Sequence, residues 1–213
     1  MKRDRIRQYV KNLVLAAMFM ALGIVLPFLT GQIPQIGSMM LPMHIPVLLC
    51  GLICGWQYGG AVGFVLPLLR FALFEMPPMP VGLAMTVELA AYGIVAGALY
   101  QRSRWKCLIA VYRSLIGAMV AGRLVWAAAR VVMVGLVDVP FSWEIFLSGA
   151  LLTAIPGIAL QLLLIPAVML ALGRAGLVPF QKNAGKETAA QERSTILEYQ
   201  RQAAPPAIGG AAL

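Results

Sequence analysis

The sequence predicts an all-α integral membrane protein, a bundle of six transmembrane helices with both termini in the cytoplasm, and three observations predict it. Hydrophobic residues fill 61% of the 213 positions and charged residues only 12%; the mean hydropathy is +0.84, far above that of an ordinary globular domain. Crossing the hydrocarbon takes roughly 20 apolar residues per helix, so this length holds about six spans with short connections and no separate soluble domain. The third observation is where the charges stand. Lys2, Arg3, Arg5, Arg7 and Lys11 precede the first apolar run, Arg102, Arg104, Lys106 and Arg113 fill one interior connection, and Arg174, Lys182 and Lys186 follow the last. Basic residues gathered on alternate connections put those connections inside. The net charge of +9 is therefore a topology signal rather than a nucleic-acid interface.

Each element follows in order. Residues 1–11 form a basic cytoplasmic terminus, and the first span runs from Asn12 to Leu29. That run is longer than the apolar core of a secretory signal, and Thr30 to Gln35 offers no small-residue cleavage site, so the helix is retained. Thr30 to Met43 is a charge-free outer loop. Ile45 to Gly55 is too short to cross unaided and lies between Pro46 and the cluster Gly51, Gly55, Gly59 and Gly60, so a tilted or partial helix is expected there. A tight inner turn leads to the third span, Ala61 to Phe74. Pro77, Pro78 and Pro80 stiffen an outer loop over Glu75 to Val81, because each proline lacks a donor and biases its predecessor to extended geometry. The fourth span is Gly82 to Tyr100 and the fifth Ser114 to Leu136. After an outer turn at Asp138 and Pro140, Ser142 N-caps the sixth span, with Glu144 in its electropositive first turn, and the helix continues to Leu172. The membrane domain is thus 12–173. Residues 174–213 read as a largely disordered cytoplasmic tail, since from 181 they are polar and then rich in Ala, Pro and Gly.

Ionisable groups inside a span are costly, so they pair or face a wet cavity; here they are Arg70, Glu88, Arg123 and Arg130. Counted from the outer helix ends, Arg70, Glu88 and Arg130 lie at similar depth and can meet, while Arg123 is about two turns deeper than Arg130 on the same face. Trp126 shares that stripe. If Glu88 only neutralises one arginine, it locks the bundle. One acid cannot neutralise three arginines, however, and surplus positive charge below an outer mouth suits a carboxylate, a phosphate or another electron-rich group. Tyr92, at i+4 from Glu88, and Trp126 supply flat walls or plain packing. His44 is a packing or interfacial residue or a ligand contact, and Gln161, between Pro156 and Pro166, bonds a substrate or a neighbouring helix. Ala17 and Ala21, continued by Gly23, form a small-residue face open to close approach by another helix of a partner or of the same chain.

Several classes are disfavoured. Cys50, Cys54 and Cys107 are too few and scattered for a disulfide framework, and no second His or Cys pair turns Cys50 and Cys54 into a metal site. No Ser/His/Asp set, phosphate loop or paired-carboxylate constellation appears, so neither an enzyme nor a cofactor is expected and nothing couples energy within the chain.

The order of segments carries a resemblance. A short outer Gly/Pro loop, then LPMHIPVLLCGLICGW, GFVLPLLRF, PPMPVGLAMTVELAAYGIVAGALY, a basic connection and GRLVW resembles the substrate-binding S components of energy-coupling factor (ECF) vitamin transporters over residues 10–173. Ala17 and Ala21 match the place where that family's first helix carries an Ala-x-x-x-Ala contact motif for the T subunit. The resemblance implies a six-helix bundle in a prokaryotic cell membrane that captures a vitamin from outside. It also implies association with a transmembrane T subunit bearing two cytoplasmic ATPases, and transport by toppling within the membrane. The pocket it implies is built from Gln32 to Met43, Met76 to Pro80, Glu88, Tyr92, Arg123, Trp126 and Arg130. Met43-His44-Ile45-Pro46 resembles the metal-binding terminus of the cobalt and nickel members, but those use a free terminal amine, which an internal segment lacks; a metal ion is therefore not the expected substrate.

The competing class is a secondary carrier or small membrane enzyme using Glu88 as a proton relay. Carriers usually show inverted repeats with broken helices, and the chain shows no convincing repeat.

Overall fold

Six helices make up nearly all of the described chain: α1 (Lys2–Leu29), α2 (His44–Cys54), α3 (Trp56–Phe74), α4 (Val81–Arg102), α5 (Leu108–Val137) and α6 (Ile155–Arg174). The computed structural model describes residues 2–29, 41–76, 81–103, 106–137, 155–176 and 178, and among these there is no strand. All helices except α2 are long and apolar enough to cross a membrane. The 11 residues of α2 reach roughly 16 Å, about half the hydrocarbon thickness.

The short helix sits in the middle. Val47, Leu48 and Cys50 are wholly buried, and nearly every residue of α2 is buried around its full circumference, as expected of a helix apolar on all sides. It packs on α1, α3, α4 and α6. The central long helix is α4, which lies against α2, α3 and α5, while α1 rests on α2 and α3. The long helices turn large apolar side chains outward, among them Leu13, Phe64, Leu83, Leu124 and Leu163. Lipid solvates such a surface.

Glycine sets how closely α3 and α4 approach. A Cβ on Gly93 would run into the carbonyl of Gly59, and one on Gly63 into the carbonyl of Leu89. Without those atoms the two backbones lie in contact, as small residues allow where no hydrophobic force drives helices together. Gly55 has the other role: its φ of 103° is closed to most side chains, and it breaks α2 from α3.

Several boundaries differ from the expectations. Helix α1 begins at Lys2, ten residues before the expected start of the membrane span at Asn12, because the basic segment holds no helix breaker. Helix α3 starts at Trp56 rather than Ala61, since Gly59 and Gly60 serve packing and only Gly55 takes a positive φ. Helix α5 begins at Leu108, so Arg113 is helical; the hydroxyl of Ser114 donates back to the carbonyl of Ala110 at 2.8 Å. The expected Ser142 cap, Glu144, the Asp138–Pro140 turn, most of the Thr30–Met43 loop, Pro77, Pro78, Pro80 and the tail lie outside the described residues.

Candidate functional site

Three helices converge on Glu88. It lies about two turns into α4, and Tyr92 follows at i+4 on the same face; they are 3% and 1% exposed. Helix α2 delivers His44 through the turn Leu41-Pro42-Met43. Leu41 adopts a φ of 48° and its carbonyl accepts the His44 backbone N–H at 3.1 Å. A positive φ is uncommon for leucine, and this one turns the chain so that the imidazole enters the interior. Nε2 of His44 lies 3.9 Å from Oε1 of Glu88, and its ring meets that of Tyr92 edge-on at 5.0 Å.

Helix α5 brings the opposite charge. Nη1 of Arg123 is 3.4 Å from Oε1 of Glu88. Next to it, Gly122 provides room, because a Cβ there would strike the Tyr92 ring; Tyr92 is held between His44 of α2 and the α5 backbone. Arg123 remains 22% exposed, against 3% for Glu88. On the same stripe the Arg130 guanidinium lies 5.7 Å from the Trp126 ring centre, within cation–π range.

This cluster is rich in unmatched polar atoms. Both ring nitrogens of His44, Oε1 of Glu88, and Nε and Nη2 of Arg123 are buried without a hydrogen-bond partner among the described residues. Such groups cost about 1–3 kcal/mol each when left unpaired, and a site that binds a polar molecule supplies the missing partners. Nε2 of Gln161 is in the same condition. Gln161 stands one turn before Ile165, which shares a core cluster with Ile45 and Tyr92, and no hydrogen bond joins its amide nitrogen to Glu88.

Arg70 points elsewhere. Its Nη1 donates to the carbonyl of Ile24 on α1 at 3.3 Å, and the guanidinium lies 5.7 Å and 5.9 Å from the ring centres of Phe28 and Phe74. The expected meeting of Arg70 with Glu88 does not occur, because the α1 carbonyl and two rings hold the group on another side of α3. Depth along α5 was misread too: Arg130, expected level with Glu88, lies over Trp126 instead, and Arg123, expected about two turns deeper, is the arginine that meets Glu88. Gly122 is the site residue that sequence reasoning missed, and its signal was its place beside an intramembrane arginine.

A second surface lies on α1. Ala17 and Ala21 are exposed and, with Leu13, Met20, Tyr58 and Val65, line an apolar groove of about 390 Å³ between α1 and α3. Gly23 is buried instead, its α-carbon turned to Leu66 of α3. It belongs to packing within the chain, not to the exposed face of Ala17 and Ala21.

Comparison with known families bears on both surfaces. Residues 11–169 match the family described as ECF transporter, substrate-specific component. The chain belongs to that family. No curated protein and no solved structure matches it. As a substrate-specific component, the protein is a multi-pass membrane subunit that binds a transport substrate and is not itself an enzyme, and the family generally associates with T and ATPase subunits. In such a subunit the convergence of α2, α4 and α5 on unmatched donors and acceptors is the candidate substrate site.

Proposed function

We propose that this substrate-specific component captures a water-soluble vitamin or vitamin precursor from the outer side of a prokaryotic cell membrane and delivers it for ATP-driven uptake. The T subunit and two cytoplasmic ATPases supply the energy. One observation carries the proposal: a buried ion pair between Glu88 and Arg123, flanked by His44 and Tyr92, holds both donors and acceptors that nothing else among the described residues satisfies. Arg130 and Trp126 extend the site along α5, and Gln161 contributes from α6. Both termini face the cytoplasm, with α2 counted as the sixth membrane element. Pantothenate, pyridoxine-type and pyrimidine-type compounds are the leading substrates, because each combines hydrogen-bonding groups with a compact polar body. Ala17 and Ala21 form the docking surface for the T subunit, where small side chains permit close helix approach.

The test is a thermal-shift panel of B vitamins and their precursors on the purified protein. A ligand that binds the folded state raises the melting temperature in proportion to its concentration over Kd, so one vitamin should give a saturable shift. Silence from the whole panel would count against vitamin capture. A second reading, proton relay through Glu88 and His44, draws on their 3.9 Å separation. It requires the chain alone to drive transport in vesicles, which the first reading excludes.

A further inference from the structure

The ion pair with Glu88 engages one end of the Arg123 guanidinium, Nη1. The other two nitrogens, Nε and Nη2, are buried without a partner among the described residues. Their N–H groups point the same way along one edge of the planar group, the arrangement that grips two acceptor atoms side-on. Charge gives an independent constraint. Arg70 is committed to the α1 carbonyl and two rings, so the α5 stripe sets Arg123 and Arg130 against the single carboxylate of Glu88. Among the described residues one positive charge is left over on that stripe. Oε1 of Glu88, ion-paired with Arg123 but without a hydrogen bond, and the His44 ring nitrogens, also without one among the described residues, offer an acceptor for a hydroxyl or N–H nearby.

We propose that the site takes a monocarboxylate, its two oxygens held side-on by Nε and Nη2 of Arg123, while a hydroxyl or N–H of the same molecule reaches Glu88 and His44. This rests on the vitamin-capture reading and narrows it. A pantothenate-like hydroxy acid fits. A pyridoxine-type alcohol presents no rigid pair of acceptors, a neutral pyrimidine leaves the surplus charge unmet, and a phosphate dianion exceeds it.

The experiment compares acids with their alcohols on the purified protein by isothermal titration: pantothenate against pantothenol, nicotinate against 3-pyridylmethanol, and biotin against biotinol, with thiamine, riboflavin and pyridoxine alongside. One acid should bind, and its alcohol should bind at least about 30-fold more weakly, the lower end of what a desolvated charge pair gives when one partner is removed. Arg123→Lys keeps the charge but lacks the paired N–H edge, so it should reduce the acid-to-alcohol preference about tenfold or more. Equal binding of an acid and its alcohol to the unaltered protein overturns the proposal, whatever the variant's folding. So does an unchanged preference in a folded Arg123→Lys. Binding confined to thiamine, riboflavin or pyridoxine overturns the proposal and leaves vitamin capture standing, whereas silence from every compound overturns both.

Discussion

Oε1 of Glu88 on α4 lies 3.4 Å from Nη1 of Arg123 on α5, so two helices of the bundle are joined by opposite charges buried in an apolar chain. Removing one member of such a pair strands the other. Glu88→Leu should lower stability by about 3–5 kcal/mol, and adding Arg123→Met to it should recover part of the loss, because apolar replacement of both partners is often nearly neutral. Melting temperatures in detergent check this; a double variant less stable than Glu88→Leu would show that the pair does not act as a unit.

Arg70 should behave differently. Its partners are the Ile24 carbonyl and the rings of Phe28 and Phe74, which tie α3 to the end of α1. Arg70→Met should cost about 1–3 kcal/mol of stability through the lost charged hydrogen bond and cation–π contacts. Ligand affinity should stay within about threefold, since a group outside the site adds to other effects independently. A loss of binding with unchanged melting would return Arg70 to the pocket.

These two arginines show how far the sequence could be read. Hydropathy and charge placement identify the helices, and the intramembrane acid must find a partner, so Glu88 beside an arginine was legible. Which arginine was not, because counting from helix ends put Arg130 level with Glu88 and Arg123 about two turns deeper, whereas Arg123 is the partner, and for Arg70 the count left rotation open. His44 is a similar case: the sequence places it at a helix start, but its burial depends on the positive φ of Leu41, and nothing in a leucine announces that. Glycines were legible as a cluster and illegible one by one, since Gly55 breaks a helix while Gly59 and Gly93 allow backbone contact.

That contact gives a test of packing. Alanine is favoured over glycine by about 1 kcal/mol in a helix, yet a Cβ on Gly93 would meet the Gly59 carbonyl. Gly93→Ala should therefore destabilise the protein by about 1–3 kcal/mol, the usual cost of overpacking. An increase in melting temperature would mean that α3 and α4 are not in backbone contact.

The groove on α1 gives a test of assembly. Replacing both Ala17 and Ala21 with leucine should abolish copurification with the T subunit while leaving vitamin binding within about twofold, because both side chains are exposed and surface changes typically alter stability by less than ~0.5 kcal/mol. Retained copurification would move the docking surface elsewhere; a loss of folding would assign the two alanines to the core of the bundle.

Equilibrium titration of the unaltered protein and of Arg123→Met, with the vitamin that raises the melting temperature, tests most directly whether the Glu88–Arg123 cluster is the substrate site. Truncating a desolvated arginine that holds an anionic group costs about 2–5 kcal/mol, so the variant should remain folded and bind at least about 30-fold more weakly, at roughly 1.4 kcal/mol per tenfold. Unaltered affinity in Arg123→Met would contradict this, whatever its melting temperature: the ion pair with Glu88 would then be structural alone, and the binding site would lie away from it.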